Sequence, residues 1–356
     1  MKINELYMKK IELIKLKDWT PPTDWLKIST IDAHTEGEPL RIFAGGLPNI
    51  KGSTILEMRR DLIENHDYIR TALMWEPRGH ADMYGCIITP PTTEDADFGV
   101  IFLHNEGYSS MCGHGIIAVT KVALETGLIN SVEPSTTIKI NSPAGLITAT
   151  ANIKDGKVKC VSFLNVPSFV LMKNKTVKVA GIGNVKFDVA YGGAFYAYVN
   201  ADDLELKMTP ENYDELIDKG RRIKKAVMEN FEIKHPFEED LSFLYGTIFT
   251  GKPLSPKAAS RNVCIFAEGE VDRSPTGTGV SGRMALYYDN SELELNQPMI
   301  IESILGTTFT GKIKGLANFG EYVAVIPEVT GTAHITGKHE FLIDPTDPLK
   351  NGFIFR

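Results

Sequence analysis

Ser109-Ser110-Met111-Cys112-Gly113-His114-Gly115 is followed at once by an apolar run that begins at Ile116, so a loop of small residues leads into a predicted helix. This places Cys112 at or just before the first turn of that helix. Unpaired backbone N–H groups and the positive end of the helix dipole favour a thiolate there. The glycines on both sides of His114 let a ligand approach the backbone closely, so the same N–H groups are expected to hold a carboxylate.

A second stretch later in the chain repeats this pattern. Asp272-Arg273-Ser274-Pro275-Thr276-Gly277-Thr278-Gly279 precedes an apolar run that begins at Val280. Both stretches have the form X-Gly-X-Gly followed by a predicted helix, with cysteine as the first residue in one and threonine in the other. We interpret this as a duplication in which two similar halves each point a helix N-terminus at one shared site.

Composition limits the class of protein. A chain of 356 residues is about right for two domains, and 43% hydrophobic with 23% charged residues is ordinary for a soluble globular protein. The net charge of −7 argues against nucleic acid or an anionic membrane as the main partner. It does not argue against a small anionic substrate, because helix N-termini can dominate the field inside a cleft. No run of about 18 apolar residues predicts a transmembrane helix. Four cysteines without a C-x-x-C spacing favour a reducing compartment, the cytoplasm.

Alternating strand and helix patterns predict an α/β (α+β) fold with mixed sheets. Residues 1–26 are interpreted as an N-terminal extension containing a short helix over 5–17, without the features of a signal peptide. The first α/β domain is predicted to comprise residues 27–166 together with 340–356 and to carry Cys112. Residues 167–339 form the predicted second domain, which carries Thr276. Helical spacing predicts one surface helix from Thr54 to Met74 and a long amphipathic helix from Asn212 to Glu229.

Other chemistry-bearing residues indicate neither a metal nor a cofactor. Cys86, Cys160 and Cys264 lie in apolar or strand-like contexts and are interpreted as small buried hydrophobes. The histidines follow no zinc-binding spacing. Gly181-Ile182-Gly183 lacks the third glycine and the following helix of a dinucleotide fingerprint.

At its longest motifs the sequence resembles the proline racemase family, over roughly residues 31–337. The motifs are Asp32–Pro39, Arg78–Gly85, Met111–Gly115 and Asp272–Gly279. The resemblance implies two similar halves, each a mixed sheet wrapped around a central helix, as in diaminopimelate epimerase-like folds. It also implies an active site in the cleft between the halves, a small imino acid as substrate, no cofactor, and a homodimer.

The resemblance also implies roles for individual residues. In the racemases two cysteines face each other across the substrate Cα; Cys112 matches the first, whereas Thr276 stands at the second position. This pattern resembles the branch of the family that dehydrates trans-3-hydroxy-L-proline. The resemblance implies that the substrate carboxylate binds to the N–H groups of Gly113, His114, Gly277 and Thr278. Asp272 is implied to pair with the ring ammonium, and His114 also lies on the nitrogen side of the ring. Tyr84 and Phe266 are implied to form part of the pocket wall. Ser109, three residues before Cys112, is assigned to the 3-hydroxyl from proximity alone.

The chemistry of the two side chains agrees with this branch. Racemisation needs an acid on the face opposite the base, and a threonine hydroxyl has no accessible pKa for that task. Dehydration needs one base only, because the carbanion is quenched by losing hydroxide from Cβ. In trans-3-hydroxy-L-proline the hydroxyl lies on the same ring face as the Cα hydrogen. We therefore hypothesise that Cys112 takes that proton and passes it to the departing hydroxyl.

Three other functions stay open from the sequence. A proline racemase or 4-hydroxyproline 2-epimerase would need a second thiol, and Cys264 lies twelve positions before Thr276 in a predicted strand. A cysteine hydrolase would use Cys112 with His114, but residues two apart beside a helix start rarely orient a thiol–imidazole pair. A non-enzymatic amino-acid binder would keep its ligand affinity when Cys112 is replaced.

Overall fold

The computed structural model describes residues 18–355, so the helix predicted over 5–17 lies outside the described residues. Five α-helices occur in this part of the chain: α1 (Ile55–Asn65), α2 (Asp67–Met74), α3 (Gly113–Glu125), α4 (Tyr213–Asn230) and α5 (Gly277–Asp289). Among the described residues, no helix is both long and apolar enough to cross a bilayer.

Eighteen strands accompany these helices in the described part. The first half contains β1 (Leu26–Thr35), β2 (Glu38–Gly45), β3 (Tyr84–Thr89), β4 (Phe98–His104), β5 (Tyr108–Ser109), β6 (Ser135–Ser142), β7 (Gly145–Lys154) and β8 (Lys157–Leu164). The second half contains β9 (Phe169–Val179), β10 (Gly183–Tyr191), β11 (Phe195–Asn200), β12 (Leu244–Gly251), β13 (Ser260–Phe266), β14 (Glu270–Val271), β15 (Met299–Glu302), β16 (Thr308–Phe319) and β17 (Tyr322–Gly331). The last strand, β18 (Ala333–Ile343), returns to the first half.

Strand pairing repeats between the halves. The first half runs β18-β1-β2-β3-β4-β6-β7-β8, with β5 on β4. The second runs β9-β10-β11-β12-β13-β15-β16-β17, with β14 on β13. The parallel pairs fall at equivalent places, β2–β3 with β11–β12 and β4–β6 with β13–β15, and β8 joins β17 across the halves. The predicted duplication and mixed sheets are confirmed.

Each half wraps its sheet around one buried helix. α3 follows β5 and packs against β1, β7, β8 and β18, whereas α5 follows β14 and packs against β9, β10, β16 and β17. Both helices are buried on nearly every face, which explains why their sequences are mostly apolar or small instead of amphipathic. Because the two helices are equivalent in the duplication, their N-termini approach the junction of the halves from opposite sides.

The predicted single helix from Thr54 to Met74 is wrong in one respect, because it is broken at His66. α1 begins with a capping box between Thr54 and Glu57, and His66 then adopts a non-helical conformation between α1 and α2. α2 buries five of its eight residues, whereas α1 buries two of its eleven. Neither glycine nor proline marks the break, so spacing could not reveal it. The long helix predicted from Asn212 to Glu229 is confirmed as α4.

The C-terminal strand affects the predicted division into domains. β18 pairs with β1 along its whole length, from Leu26 opposite Ile343 to Thr35 opposite Ala333. The predicted boundary between residues 339 and 340 therefore falls inside a strand. In the first half β18 occupies the place that β9 occupies in the second, so we propose a division before Ala333.

Candidate active site

The N-termini of α3 and α5 meet through two glycines at the junction of the halves. A Cβ atom added to Gly113 would lie 2.6 Å from the Gly277 Cα, and one added to Gly277 would lie 2.8 Å from the Gly113 Cα. Only glycine permits this approach, since real Cβ contacts essentially never fall below 3.0 Å. Both sets of unpaired N–H groups thus point into one small volume, a ready site for an anion.

Replacing Gly113 with Ala is expected to push the two helix ends apart. Overpacking of this kind costs about 1–3 kcal/mol of stability, and displaced N–H groups should lower kcat/KM at least about tenfold. Thermal unfolding and steady-state kinetics measure the two effects. Gly315→Ala is the matched control, because nothing lies within 4 Å of its added Cβ. Wild-type stability and activity in Gly113→Ala would contradict the packing argument.

A pocket of about 20 Å³ lies between the helix ends, enough for about one water molecule. Its lining comprises Tyr84, Met111, Cys112, Gly113, His114, Tyr196, Tyr245, Phe266, Asp272, Thr276, Gly277 and Thr278. Every residue that the sequence analysis assigned to the site is in this lining except Ser109, which lies behind it, with Oγ 2.5 Å from the Tyr84 hydroxyl. Three larger grooves of about 470, 650 and 730 Å³ lie on the second half, and among the described residues their linings contain no cysteine or histidine.

Cys112 is the N-cap residue of α3. Its Sγ accepts a hydrogen bond from the Gly115 N–H at 3.2 Å, and the residue is 4% exposed. Burial raises the pKa of the Cys112 thiol well above its usual range; the Gly115 N–H lowers it, and the carboxyls of Asp272 and Glu38 raise it further. The N-terminus of α3 therefore lowers the pKa of the Cys112 thiol, as predicted, but desolvation raises that pKa by more. A cation placed beside Cys112 would be needed to favour the thiolate.

His114 contacts Cys112 more closely than its position in sequence suggested. The Sγ lies 3.2 Å from Nδ1 and 3.5 Å from Nε2 of the imidazole. Such similar distances place the sulfur over the face of the ring, because in the ring plane it would overlap Cε1. Burial lowers the pKa of His114 to about 3, although a hydrogen bond with the Pro39 backbone acts in the opposite direction and raises it. His114 is thus a neutral ring packed on the sulfur, and this face contact is not an aligned base–thiol pair.

Thr276 occupies the N-cap position of α5, equivalent to Cys112 in the other half. Its φ is 65° and its ψ is 94°, a region that a β-branched residue rarely adopts. The buried hydroxyl forms no well-aligned hydrogen bond with any described residue, although it is near enough to Asp272 to lower the pKa of that carboxyl. Strain of this kind is usual where function fixes the backbone.

Two buried carboxyl groups lie beside the thiol. Asp272 is 5% exposed, and its Oδ1 accepts a hydrogen bond from the Ser274 N–H at 2.7 Å. Burial raises the pKa of Asp272 to about 6, against lowering by the hydroxyls of Ser274 and Thr276. Glu38 is fully buried and accepts a 2.7 Å hydrogen bond from the Arg273 N–H. Burial and then Asp272 raise the pKa of Glu38 well above its usual range, which favours a neutral carboxyl.

Aromatic side chains from both halves form one wall of the pocket. The ring centroid of Phe266 lies 5.9 Å from that of Tyr84 and 5.4 Å from that of Tyr245. The hydroxyls of Tyr84 and Tyr245 are 3.3 Å apart, and the Tyr196 hydroxyl lies 2.7 Å from the Thr278 Oγ1. Burial raises the pKa of all three tyrosines well above the usual range, so they stay neutral phenols. Such a wall offers apolar surface to a ring with a few hydroxyl groups to orient it.

Residues 30–354 match the model of the proline racemase family, and the chain belongs to that family. It is 50% identical to the trans-3-hydroxy-L-proline dehydratase of Colwellia psychrerythraea, with 96% of this chain and 98% of that protein covered. It is 44% identical to the proline racemase of Clostridioides difficile, over 92% and 98% of the two chains. A solved hydroxyproline epimerase from Agrobacterium vitis, with bound trans-4-hydroxy-L-proline, superimposes with a TM-score of 0.89 at 31% identity and covers 94% and 96% of the two chains.

Proposed function

We infer that this chain is a trans-3-hydroxy-L-proline dehydratase, a hydro-lyase that forms pyrroline-2-carboxylate and acts without a cofactor. The observation that carries this conclusion is the unequal pair at the two helix ends, a thiol at Cys112 and a hydroxyl at Thr276. The similarity to dehydratases along nearly the whole chain supports it.

Substrate binding follows from charge. The N–H groups of Gly113, His114, Gly277 and Thr278 receive the carboxylate, and the Asp272 carboxylate receives the ring ammonium. The bound ammonium offsets the negative field that the ionised Asp272 exerts on Cys112, so it opposes part of the rise in the pKa of the thiol. Binding of the zwitterion thereby helps to make the base that attacks it.

Proton transfer then takes place on only one face of the substrate ring. The Cys112 thiolate removes the Cα proton, and the helix N–H groups stabilise the negative charge that develops on the carboxylate. The C3–O bond breaks as the Cα–C3 double bond forms, and Cys112 returns its proton to the leaving hydroxide, which departs as water. Thr276 supplies no proton from the other face, so inversion at Cα is suppressed.

Ring recognition is assigned to the aromatic wall. Tyr84, Tyr245 and Phe266 contact the ring methylenes. The Tyr84 hydroxyl is proposed to hydrogen-bond the 3-hydroxyl, and Ser109, behind the pocket lining, orients that hydroxyl instead of contacting the substrate as the sequence analysis assigned. Removal of the Tyr84 hydroxyl by Tyr84→Phe is expected to raise KM for the hydroxylated substrate more than it weakens inhibition by L-proline, which lacks the 3-hydroxyl. Equal losses for the two ligands would contradict this assignment.

Activity is expected to fall on the acid side as Asp272 becomes protonated. Its pKa is raised to about 6, so the group is ionised above that pH and becomes neutral as pH falls through it. Neutral Asp272 cannot pair with the ammonium, and kcat/KM should therefore decline about tenfold per pH unit below about pH 6. A pH profile of kcat/KM measures this. The acid limb should disappear in Asp272→Asn, at much lower activity; a wild-type profile flat to about pH 4.5 would contradict the role.

The alternatives fare less well against the geometry. A racemase or epimerase needs a second thiol at the pocket, yet Cys264 lies in β13 and is absent from the pocket lining. A hydrolase needs an aligned thiol–imidazole pair, which the face contact with His114 does not provide.

Incubating the purified protein separately with trans-3-hydroxy-L-proline, trans-4-hydroxy-L-proline and L-proline, followed by proton NMR, tests the function. Consumption of only the first is expected; inversion of either other compound would favour the racemase or epimerase.

We also propose that the protein is a cytoplasmic homodimer. Support for the compartment comes from sparse cysteines, of which the described chain pairs none. Support for self-association comes from Leu295, Leu316 and Val323, large apolar side chains that are exposed on the second half. Light scattering of the purified protein tests the dimer, and a monomeric mass at micromolar concentration would contradict it.

A further inference from the structure

The pocket is small and almost fully buried in this structure. Cys112, Asp272 and Thr276 are each no more than 5% exposed, and the pocket volume is far below that of a five-membered ring with its carboxylate. The substrate can therefore reach Cys112 only when the two halves separate. Contacts between the halves at the rim of the pocket then decide how readily it opens.

Arg273 makes two of these contacts. It follows Asp272 in the second half, and its Nη1 lies 2.7 Å from the Oδ2 of Asp82 in the first half. Its backbone N–H donates to Glu38, also in the first half, at 2.7 Å. The Arg273 side chain is 28% exposed and that of Asp82 only 2% exposed, so the pair runs from the surface to the buried pocket rim.

Asp82 is held in place from two sides. The Tyr213 hydroxyl, at the start of α4 in the second half, donates to the same Oδ2 at 2.5 Å. Asp82 also has a φ of 63°, a costly conformation for a residue that is not glycine. The Asp82 carboxylate is buried, has a costly backbone conformation and accepts hydrogen bonds from two groups of the second half. Because neither donor belongs to the first half, we interpret these hydrogen bonds as contacts that hold the halves together.

We propose that Arg273, with Asp82, Glu38 and Tyr213, forms a latch that closes the cleft and fixes the adjacent Asp272 against the substrate ammonium. Arg273 is a positioning residue, because it lies next to Asp272 in the same loop and does not touch the reacting atoms. When the latch opens, the Asp272 loop loses two anchors on the first half at once. Substrate admission and assembly of the ammonium site are thereby coupled through one side chain. This inference rests on the proposed site at Cys112.

Alkylation of Cys112 by iodoacetamide, without substrate, measures opening directly. Arg273→Met removes the side-chain anchor of the loop, and Cys112 should then be alkylated at least about tenfold faster than in the wild type, with a smaller increase in Tyr213→Phe. Arg273→Lys keeps the charge and should restore part of the protection. Mass spectrometry of the peptides also reports the buried thiol of Cys86 in β3, whose rate should not change.

Arg60→Met is the matched control. Arg60 also pairs with a residue of the other half, Asp240 at 2.9 Å, but the arginine side chain is 52% exposed and lies away from the Asp272 loop. Little effect on Cys112 is expected there, because exposed ion pairs contribute little. In steady-state kinetics Arg273→Met should raise KM and lower kcat, whereas Arg60→Met should change neither.

Two results would overturn the latch. One is a wild-type alkylation rate at Cys112 in Arg273→Met. The other is a parallel increase at Cys86 and Cys112, which would show a general loss of stability; the milder Tyr213→Phe separates these cases if Arg273→Met folds poorly. Because alkylation requires no turnover, failure of the dehydratase assignment would leave this measurement interpretable.

Discussion

Cys112→Ser is expected to abolish dehydration, with kcat reduced by about 10³-fold or more, while the fold stays intact. A serine hydroxyl cannot act as the base near neutral pH, and general base catalysis of this kind is worth about 10²–10⁴-fold. The helix should be unaffected, because serine is itself a good N-cap residue and can accept the Gly115 N–H as the thiol does. Steady-state kinetics and circular dichroism measure the two effects.

Cys160→Ser is the control for this substitution, since Cys160 lies in β8 outside the pocket lining. It should behave like the wild type. Ligand affinity of Cys112→Ser, measured by calorimetry with trans-3-hydroxy-L-proline, should persist, since the carboxylate and ammonium sites remain. Normal turnover by Cys112→Ser would refute the one-base mechanism. If the wild type binds trans-3-hydroxy-L-proline with the same affinity but does not turn it over, the non-enzymatic amino-acid binder would be favoured.

Thr276→Cys is expected to create racemisation of L-proline where the native chain has none. The substitution places a second thiol at the N-cap of α5, the position equivalent to Cys112 in the duplicated half. A thiol can deliver a proton to the opposite face of Cα, which threonine cannot. Loss of the β-branched methyl should also ease the backbone at φ 65°. Chiral chromatography of proline after incubation measures the gain.

Thr276→Ser keeps a hydroxyl at the same position and serves as the matched control. It should dehydrate the hydroxylated substrate and leave L-proline unchanged. If Thr276→Cys folds normally and yields no D-proline after prolonged incubation, the two helix ends do not face opposite sides of Cα. The account of Thr276 as the residue that prevents inversion would then fail.

The sequence predicts much of the site because its main features are local. A small-residue loop before an apolar run places Cys112 at a helix start, and the repeated pattern places Thr276 at the equivalent start. The duplication follows from the same two motifs, and strand pairing repeats as they imply. These features need no knowledge of which strands meet in space.

Most of the missed features depend on contacts between distant parts of the chain. Tyr245 and Tyr196 reach the pocket on strands of the second half; a Tyr-Gly pair at 245–246 repeats the one at 84–85 and would have indicated the first. Glu38 is buried beside Asp272, whereas nothing in its motif distinguishes it from Glu36. The stacking of His114 on the Cys112 sulfur depends on the rotamers of both side chains, which spacing cannot give.

The most direct test of the central claim uses the wild-type protein in deuterated water, with trans-3-hydroxy-L-proline in one sample and L-proline in another, both followed by proton NMR and chiral chromatography. We expect loss of the hydroxyproline signals with growth of pyrroline-2-carboxylate, and no D-proline in the second sample. Formation of D-proline that carries deuterium at Cα would contradict it, because a second group would then be protonating the face that Thr276 occupies.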